Sequence, residues 1–322
     1  MAISEFGLIK RYFSRGMAAR GDVLLGVGDD AALLTPAAGE SLALSMDTLV
    51  EGVHFPQHTS PDDIGYKTVA VNLSDMAAMG AEPAWMLLGL TLPAVDERWL
   101  QGFSEGLSQR AAEHGGALVG GDTSRGPLTI TLQICGFVPP AQALRRDGAK
   151  VGDLIYVTGQ LGDAGLGLQL ALDRTELTLA PSRRDYFISR LQRPTPRVAV
   201  GLALRGLATA AIDISDGLAG DLGHILTASG VGATVNLDSL PVAAEVKGGG
   251  DEWWRLPLTA GDDYELCFTL PAGNEAALGQ ALQAIDCPVT CIGQIEVLPG
   301  LRLTSDRGDA IPYHAGGYQH FG

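Results

Sequence analysis

At 322 residues the chain is long for one hydrophobic core and suits two domains of ordinary size. Its 46% hydrophobic and 18% charged residues are those of a packed globule, and a formal charge of −15 argues against nucleic acid, whose backbone needs a basic face. No apolar run approaches the roughly 20 residues of a membrane span, and Glu5, Lys10 and Arg11 break up any secretory leader, so a cytoplasmic, membrane-free protein is expected.

Phe6, Ile9 and Phe13 after Ser4 predict a first helix, followed by strands over 23–27 and 41–46. Ser60-Pro61 opens a helix, serine as cap and proline in its first turn, that stops at Gly80. A strand over 84–92, a helix over 96–114 closed by Gly115-Gly116, and strands at 118–119 and 128–138 complete an α/β unit. Pro139-Pro140 and the polar stretch 145–152 mark a boundary, dividing the chain into domains 1–140 and 141–322. The second unit is predicted to hold strands over 154–158, 210–214, 264–270, 289–295 and 301–304. Helices are expected from Asp163 and over 197–207, 218–228 and 274–285. The expected class is α+β, with two mixed domains.

Four cysteines, Cys135, Cys267, Cys287 and Cys291, form no CxxC pair and read as reduced thiols. The distinctive pattern is acidic. Carboxylates stand beside glycine, serine or other small residues at Gly28-Asp29-Asp30, Ser45-Met46-Asp47, Ser74-Asp75, Gly120-Gly121-Asp122, Asp213-Ile214-Ser215-Asp216-Gly217 and Gly261-Asp262-Asp263-Tyr264-Glu265. Most follow an apolar run, as turns that deliver carboxylates from strand ends into one cleft would. Gathered carboxylates stay ionised when cations sit between them, and hard divalent ions with oxygen ligands, magnesium above all, bring phosphates with them. Asp30, Asp47, Asp75, Asp122, Asp213 and Asp216 are the expected ligands of several Mg2+ ions. Each alone could equally cap a helix or make a turn. A P-loop and the protein-kinase motifs are absent from the sequence, so phosphate binding would run through metal.

These segments resemble the thiamine-monophosphate kinase family, of the PurM-like aminoimidazole ribonucleotide synthetase superfamily. The likeness is carried by Gly26-Val27-Gly28-Asp29-Asp30, by Asp47-Thr48-Leu49-Val50-Glu51-Gly52-Val53-His54-Phe55, and by Asn72-Leu73-Ser74-Asp75-Met76-Ala77-Ala78-Met79-Gly80-Ala81. Gly120-Gly121-Asp122-Thr123, Asp213-Ile214-Ser215-Asp216-Gly217, Asp263-Tyr264-Glu265-Leu266 and Gly317-Tyr318-Gln319-His320-Phe321 continue it to the end. The resemblance implies ATP-dependent phosphorylation of thiamine monophosphate to thiamine diphosphate by direct in-line transfer, with ATP in a cleft between the domains. It also implies a homodimer whose N-terminal domains pair through their sheets. Asp30, Ser45, Asp47, Asp75, Asp122, Asp213 and Asp216 match magnesium positions. Asp47, Asp75, Asp122 and Asp213 form the catalytic set. Gly121, Asp122, Arg146 and Ser215 match ATP contacts, and His54, Asp262 and Tyr318 match substrate contacts.

Two departures stand out. Met46 occupies a metal-site position where the family often has threonine, leaving only its backbone carbonyl for a cation. Asp262 replaces a longer family glutamate. Sibling enzymes that use a reactive cysteine near either terminus are a poor match, since Cys291 is the last. A protein that binds Mg-ATP without turning it over remains compatible with the residues alone.

Overall fold

The computed structural model describes residues 5–13, 20–250 and 252–313. Its contacts divide the chain into two units, Met1–Met76 with Ala81–Pro140 and Ala77–Gly80 with Ala141–Gly322.

The first unit runs α1 (Glu5–Tyr12), β1 (Val23–Leu25), β2 (Leu33–Leu34), β3 (Ser41–Val50), α2 (Pro61–Ala78), β4 (Glu82–Leu92), α3 (Glu97–Glu113), β5 (Ala117–Arg125) and β6 (Thr129–Val138). Strands β3-β6-β4-β5 form one sheet, antiparallel except for the β4–β5 pair. Alternation sorts β3 into two faces. Ala43, Ser45, Asp47 and Leu49 are wholly or partly buried, whereas Leu42, Leu44 and Met46 are exposed. Helix α2 lies on the buried face, where Ser45 bonds to its Asp75. It is buried nearly all round, so its sequence is small and apolar rather than amphipathic. Its start follows the expected chemistry: the Ser60 hydroxyl accepts from the Asp63 amide at 3.2 Å, with Pro61 first in the helix. Asp96 caps α3 in the same way.

The second unit adds β7 (Leu154–Thr158), α4 (Asp163–Ala171), α5 (Pro181–Gln192), α6 (Val198–Ala203), β8 (Ala210–Asp213), α7 (Leu218–Ser229), β9 (Gly232–Asn236), α8 (Ala244–Lys247), α9 (Arg255–Thr259), β10 (Leu266–Leu270), α10 (Glu275–Leu282), β11 (Val289–Glu296), β12 (Gly300–Thr304) and β13 (Ala310–Ile311). Its sheet has the order β13-β12-β9-β11-β7-β10-β8, with only β12–β9 parallel. Helix α7 and β8, β10, β7, β9 and β11 share one core built on Ile155, Val157, Ile212, Leu222, Ile225, Val235 and Cys267. Leu166, Leu170, Phe187 and Val246 build a smaller core around α4 and α5. Both units are mixed α/β, as the expected α+β class requires.

The expectation of acidic turns needs correcting at two places. Ser45-Met46-Asp47 and Gly120-Gly121-Asp122 lie inside β3 and β5, because the ladders run on past them: Asp47 pairs with Leu132 and Asp122 with Gly89. Asp75 lies in α2 and Asp213 ends β8. Helices α5, α8 and α9 and strands β2, β9 and β13 go beyond the sequence reading. Helix α5 has two arginines and an aspartate in its first half, which mask its apolar stripe of Phe187 and Leu191.

Gly65 sets how closely α2 approaches α3, for a Cβ there would stand 2.1 Å from the Phe103 carbonyl oxygen. Gly65→Ala is expected to destabilise the protein by about 2–4 kcal/mol, since backbone must move. Gly279→Ala in exposed α10, with open space around the new methyl, is expected to be neutral or stabilising by up to about 1 kcal/mol. Denaturant unfolding of both variants checks the contrast; equal effects would contradict it.

Candidate active site

In the first unit the side chains of β3 and α2 meet as a carboxylate pair. Ser45 Oγ donates to Asp75 Oδ2 at 2.5 Å, and Asp47 is hydrogen-bonded to the same aspartate. Burial, then the charge of Asp75 and that hydrogen bond, pushes the Asp47 carboxyl up to about 7. Two carboxylates this close cannot both ionise without a counter-charge. Met46, one residue along, is 62% exposed on the opposite face, so its side chain takes no part in the pair.

Asp30, Gly121 and Asp122 line a second feature of this unit, a cavity of about 820 Å³ that also has Trp85, Leu87, Val119 and Cys135 in its walls. Asp30 and Asp122 are exposed there. Backbone amides next to exposed carboxylates suit phosphate bound through a cation.

His54 follows the end of β3 in a tight turn whose amides at 53 and 54 donate to the Val50 carbonyl. Its Nδ1 accepts from the Val50 amide at 3.0 Å, which leaves the ring proton on Nε2 as a donor. The buried Lys67 ammonium of α2 donates to the His54 carbonyl at 3.1 Å and steadies the turn.

In the second unit β8 ends at the buried Asp213, and the chain turns through Ser215 and Asp216 into α7. Asp221, in the first turns of α7, reaches back: its Oδ2 accepts from the amides of Ser215 and Asp216, both at 3.0 Å. Burial pushes Asp221 up to about 7, against those amides and the positive charge of Arg146. Arg146 is exposed, and its positive charge is felt at Asp221. The 261–265 turn lies beside the 214–216 loop, with the amides of Asp262 and Tyr264 donating to the carbonyls of Ser215 and Ile214. A Cβ at Gly261 would stand 2.2 Å from the Ser215 carbonyl oxygen, so only glycine permits this approach. Asp213, Ser215, Asp216 and Asp262 thus share one frame. Tyr318 lies outside the described residues.

Among the described residues no three His, Cys, Asp or Glu side chains stand together as a preformed metal cage. The donors still fit a hard divalent ion. Ser45, Asp47 and Asp75 offer oxygen alone, and their mutual repulsion is what such an ion neutralises.

Family models match almost the whole described chain. The AIR synthase related protein N-terminal domain matches residues 28–138, and the corresponding C-terminal domain matches residues 150–306. The thiamine-monophosphate kinase of Salmonella typhimurium (strain LT2) is 49% identical over 324 residues, covering 100% of this chain and 99% of its own. The chain belongs to the thiamine-monophosphate kinase family. A crystal structure of a family member from Stenotrophomonas maltophilia K279a is 48% identical with a TM-score of 0.85, covering 97% of this chain and 99% of that one. AaThiL complexed with AMPPCP and TMP is 29% identical with a TM-score of 0.77, covering 99% of this chain and 97% of that one.

The sequence reading assigns no role to Asp221, Asp263 or Glu265, the carboxylates that hold the frame, although Asp263 and Glu265 lie in its last acidic segment. Asp221 and Asp263 are buried beneath the loops they support; the Asp263 carboxylate accepts from the amides of Gly162 and Ala164, and burial pushes it up to about 8. The signal for Asp221 was its place in the first turns of a helix behind a glycine. For Asp263 and Glu265 it was an acidic run leading into an apolar strand.

Asp47 carries a checkable consequence. Its folded-state value near 7 lies above the ordinary 3.8, so its contribution to stability is full below about pH 4 and is lost as pH rises through 7. Asp47→Asn removes that loss. With divalent ions chelated, the variant is expected to gain on the natural protein by on the order of 2 kcal/mol between about pH 5 and pH 8. Urea unfolding across that range measures it; a gap independent of pH would contradict the pairing.

Proposed function

We propose that the protein transfers the γ-phosphoryl group of ATP to the phosphate of thiamine monophosphate, giving thiamine diphosphate, by direct in-line displacement. The observation that carries this reading is the full-length match to a thiamine-monophosphate kinase at 49% identity. The neighbour complexed with AMPPCP and TMP supports the pair of substrates. The Asp47–Asp75 pair supports the chemistry, because bringing two phosphates together demands positive charge.

Asp30, Ser45, Asp47, Asp75 and Asp122 in the first unit, with Asp213 and Asp216 in the second, would hold Mg2+; Met46 has only its carbonyl to offer. Held by these residues, Mg2+ would supply positive charge against the negative charge of the two phosphates. The amide of Gly121, the guanidinium of Arg146 and Ser215 bind ATP phosphates, Arg146 as a planar fork. His54 donates Nε2–H to the acceptor phosphate, and Asp262 and Tyr318 bind the rest of the substrate. No general base is needed, since a phosphate acceptor is already ionised. Leu42, Leu44 and Met46 form an exposed apolar row on the outer face of β3, which supports a homodimer paired through that sheet. No helix among the described residues is long and apolar enough to cross a membrane, and we assign the protein to the cytoplasm.

ADP release from ATP is expected to depend on thiamine monophosphate, to fail with free thiamine and to stop when divalent ions are chelated. Asp75→Asn and Asp213→Asn are each expected to lower kcat by about 100-fold or more with unchanged circular dichroism. Unaltered turnover in both variants, or equal turnover with free thiamine, would overturn the reading.

A further inference from the structure

Two non-glycine residues of the 261–265 turn sit in the left-handed region, Asp262 at φ 72° and Tyr264 at φ 49°. Each such conformation is unfavourable for a residue with a side chain and persists only where surroundings impose it. The surroundings here are unusual. Glu265, the next residue, is fully buried, and four donors from three parts of the unit converge on its carboxylate. Oε1 accepts from Arg190 Nη2 of α5 at 2.8 Å and Arg197 Nη2 at 2.6 Å. Oε2 accepts from Arg197 Nε and from Thr158 Oγ1 of β7, both at 2.6 Å. Arg190 also reaches the Asp263 carbonyl at 3.5 Å. Thr158 Oγ1 in turn accepts from the Leu266 amide at 2.8 Å.

A buried ion cluster of this kind adds little net stability over a well-packed apolar substitute, because desolvation offsets the attraction. What it supplies is geometry. The Arg197 fork fits both Glu265 oxygens at once and leaves one orientation for the start of β10. On the turn's other side the backbone is tied, Asp262 and Tyr264 to residues 214 and 215, and Ile214 back to the Glu265 carbonyl at 2.7 Å. The turn is pinned from both flanks.

We propose that Glu265 is a positioning residue: its bonds to Arg190, Arg197 and Thr158 hold the turn left-handed and so fix where Asp262 meets the substrate. This rests on the assignment of Asp262 as a substrate contact.

Glu265→Gln presents an amide N–H₂ to a guanidinium where an acceptor stood. In the full-length protein it is expected to raise KM for thiamine monophosphate by about tenfold or more while kcat changes less than about threefold. In an Asp262→Asn background the same change should raise KM less than about twofold, because Glu265 acts through Asp262. Hydrogen exchange reads the geometry independently of activity: the Asp262 and Tyr264 amides should exchange about tenfold faster in Glu265→Gln, with those of β7 unchanged. Equal KM effects in both backgrounds, or unchanged exchange, would overturn the proposal. A natural protein inactive on thiamine monophosphate, yet with the expected exchange change, would overturn the function reading and leave the clamp standing. Should Glu265→Gln fail to fold, Arg190→Gln removes one of the two guanidiniums and is read in the same way.

Discussion

Two carboxyl groups held against each other, Asp47 in a strand and Asp75 in a helix, are the constraint on which the first unit turns. The sheet brings Asp47 inward by simple alternation, and α2 meets it with small residues and a second carboxylate. An inward carboxylate in such a strand is a poor choice for stability alone, because burial penalises its charged form. Its place makes sense where the charge has a recurring partner. A hard dication is the partner that oxygen-only donors select, and a phosphate pair is the cargo that needs it.

The second unit solves a different problem. Ser215, Asp216 and Asp262, which we propose to serve the site, stand on loops where β8 ends and β10 begins, and loop backbone is free to wander. Three buried carboxylates remove that freedom: Asp221 binds the 215–216 amides, Asp263 binds the start of α4, and Glu265 holds two arginines. None of them is exposed to a ligand's solvent. Each fixes loop backbone rather than touching a reactant, so the surface acids inherit their positions from acids beneath. Polar networks of this kind specify one arrangement more than they add stability.

Much of this was legible in the sequence. The caps Ser60 and Asp96 and the alternation of β6 are local signals, and local chemistry decides them. The acidic motifs announced the family. What sequence could not give was direction. Ser45-Met46-Asp47 looks like a turn, since small and acidic residues terminate strands, yet a full ladder with β6 carries the strand through it. Met46 then falls on the outer face by the same alternation that brings Asp47 inward. Helix α5 is obscured by its arginines, and one of them, the partly buried Arg190, proves to be a partner of Glu265, a pairing across 75 residues that no window on the sequence contains.

The central claim is that the Asp47–Asp75 pair exists to hold a divalent ion. Counting bound Mn2+ by electron paramagnetic resonance, with a non-hydrolysable ATP analogue and thiamine monophosphate present, addresses it most directly. The account predicts that Asp47→Asn and Asp75→Asn each bind at least one ion fewer than the natural protein. Identical ion counts and affinities in all three proteins would contradict it.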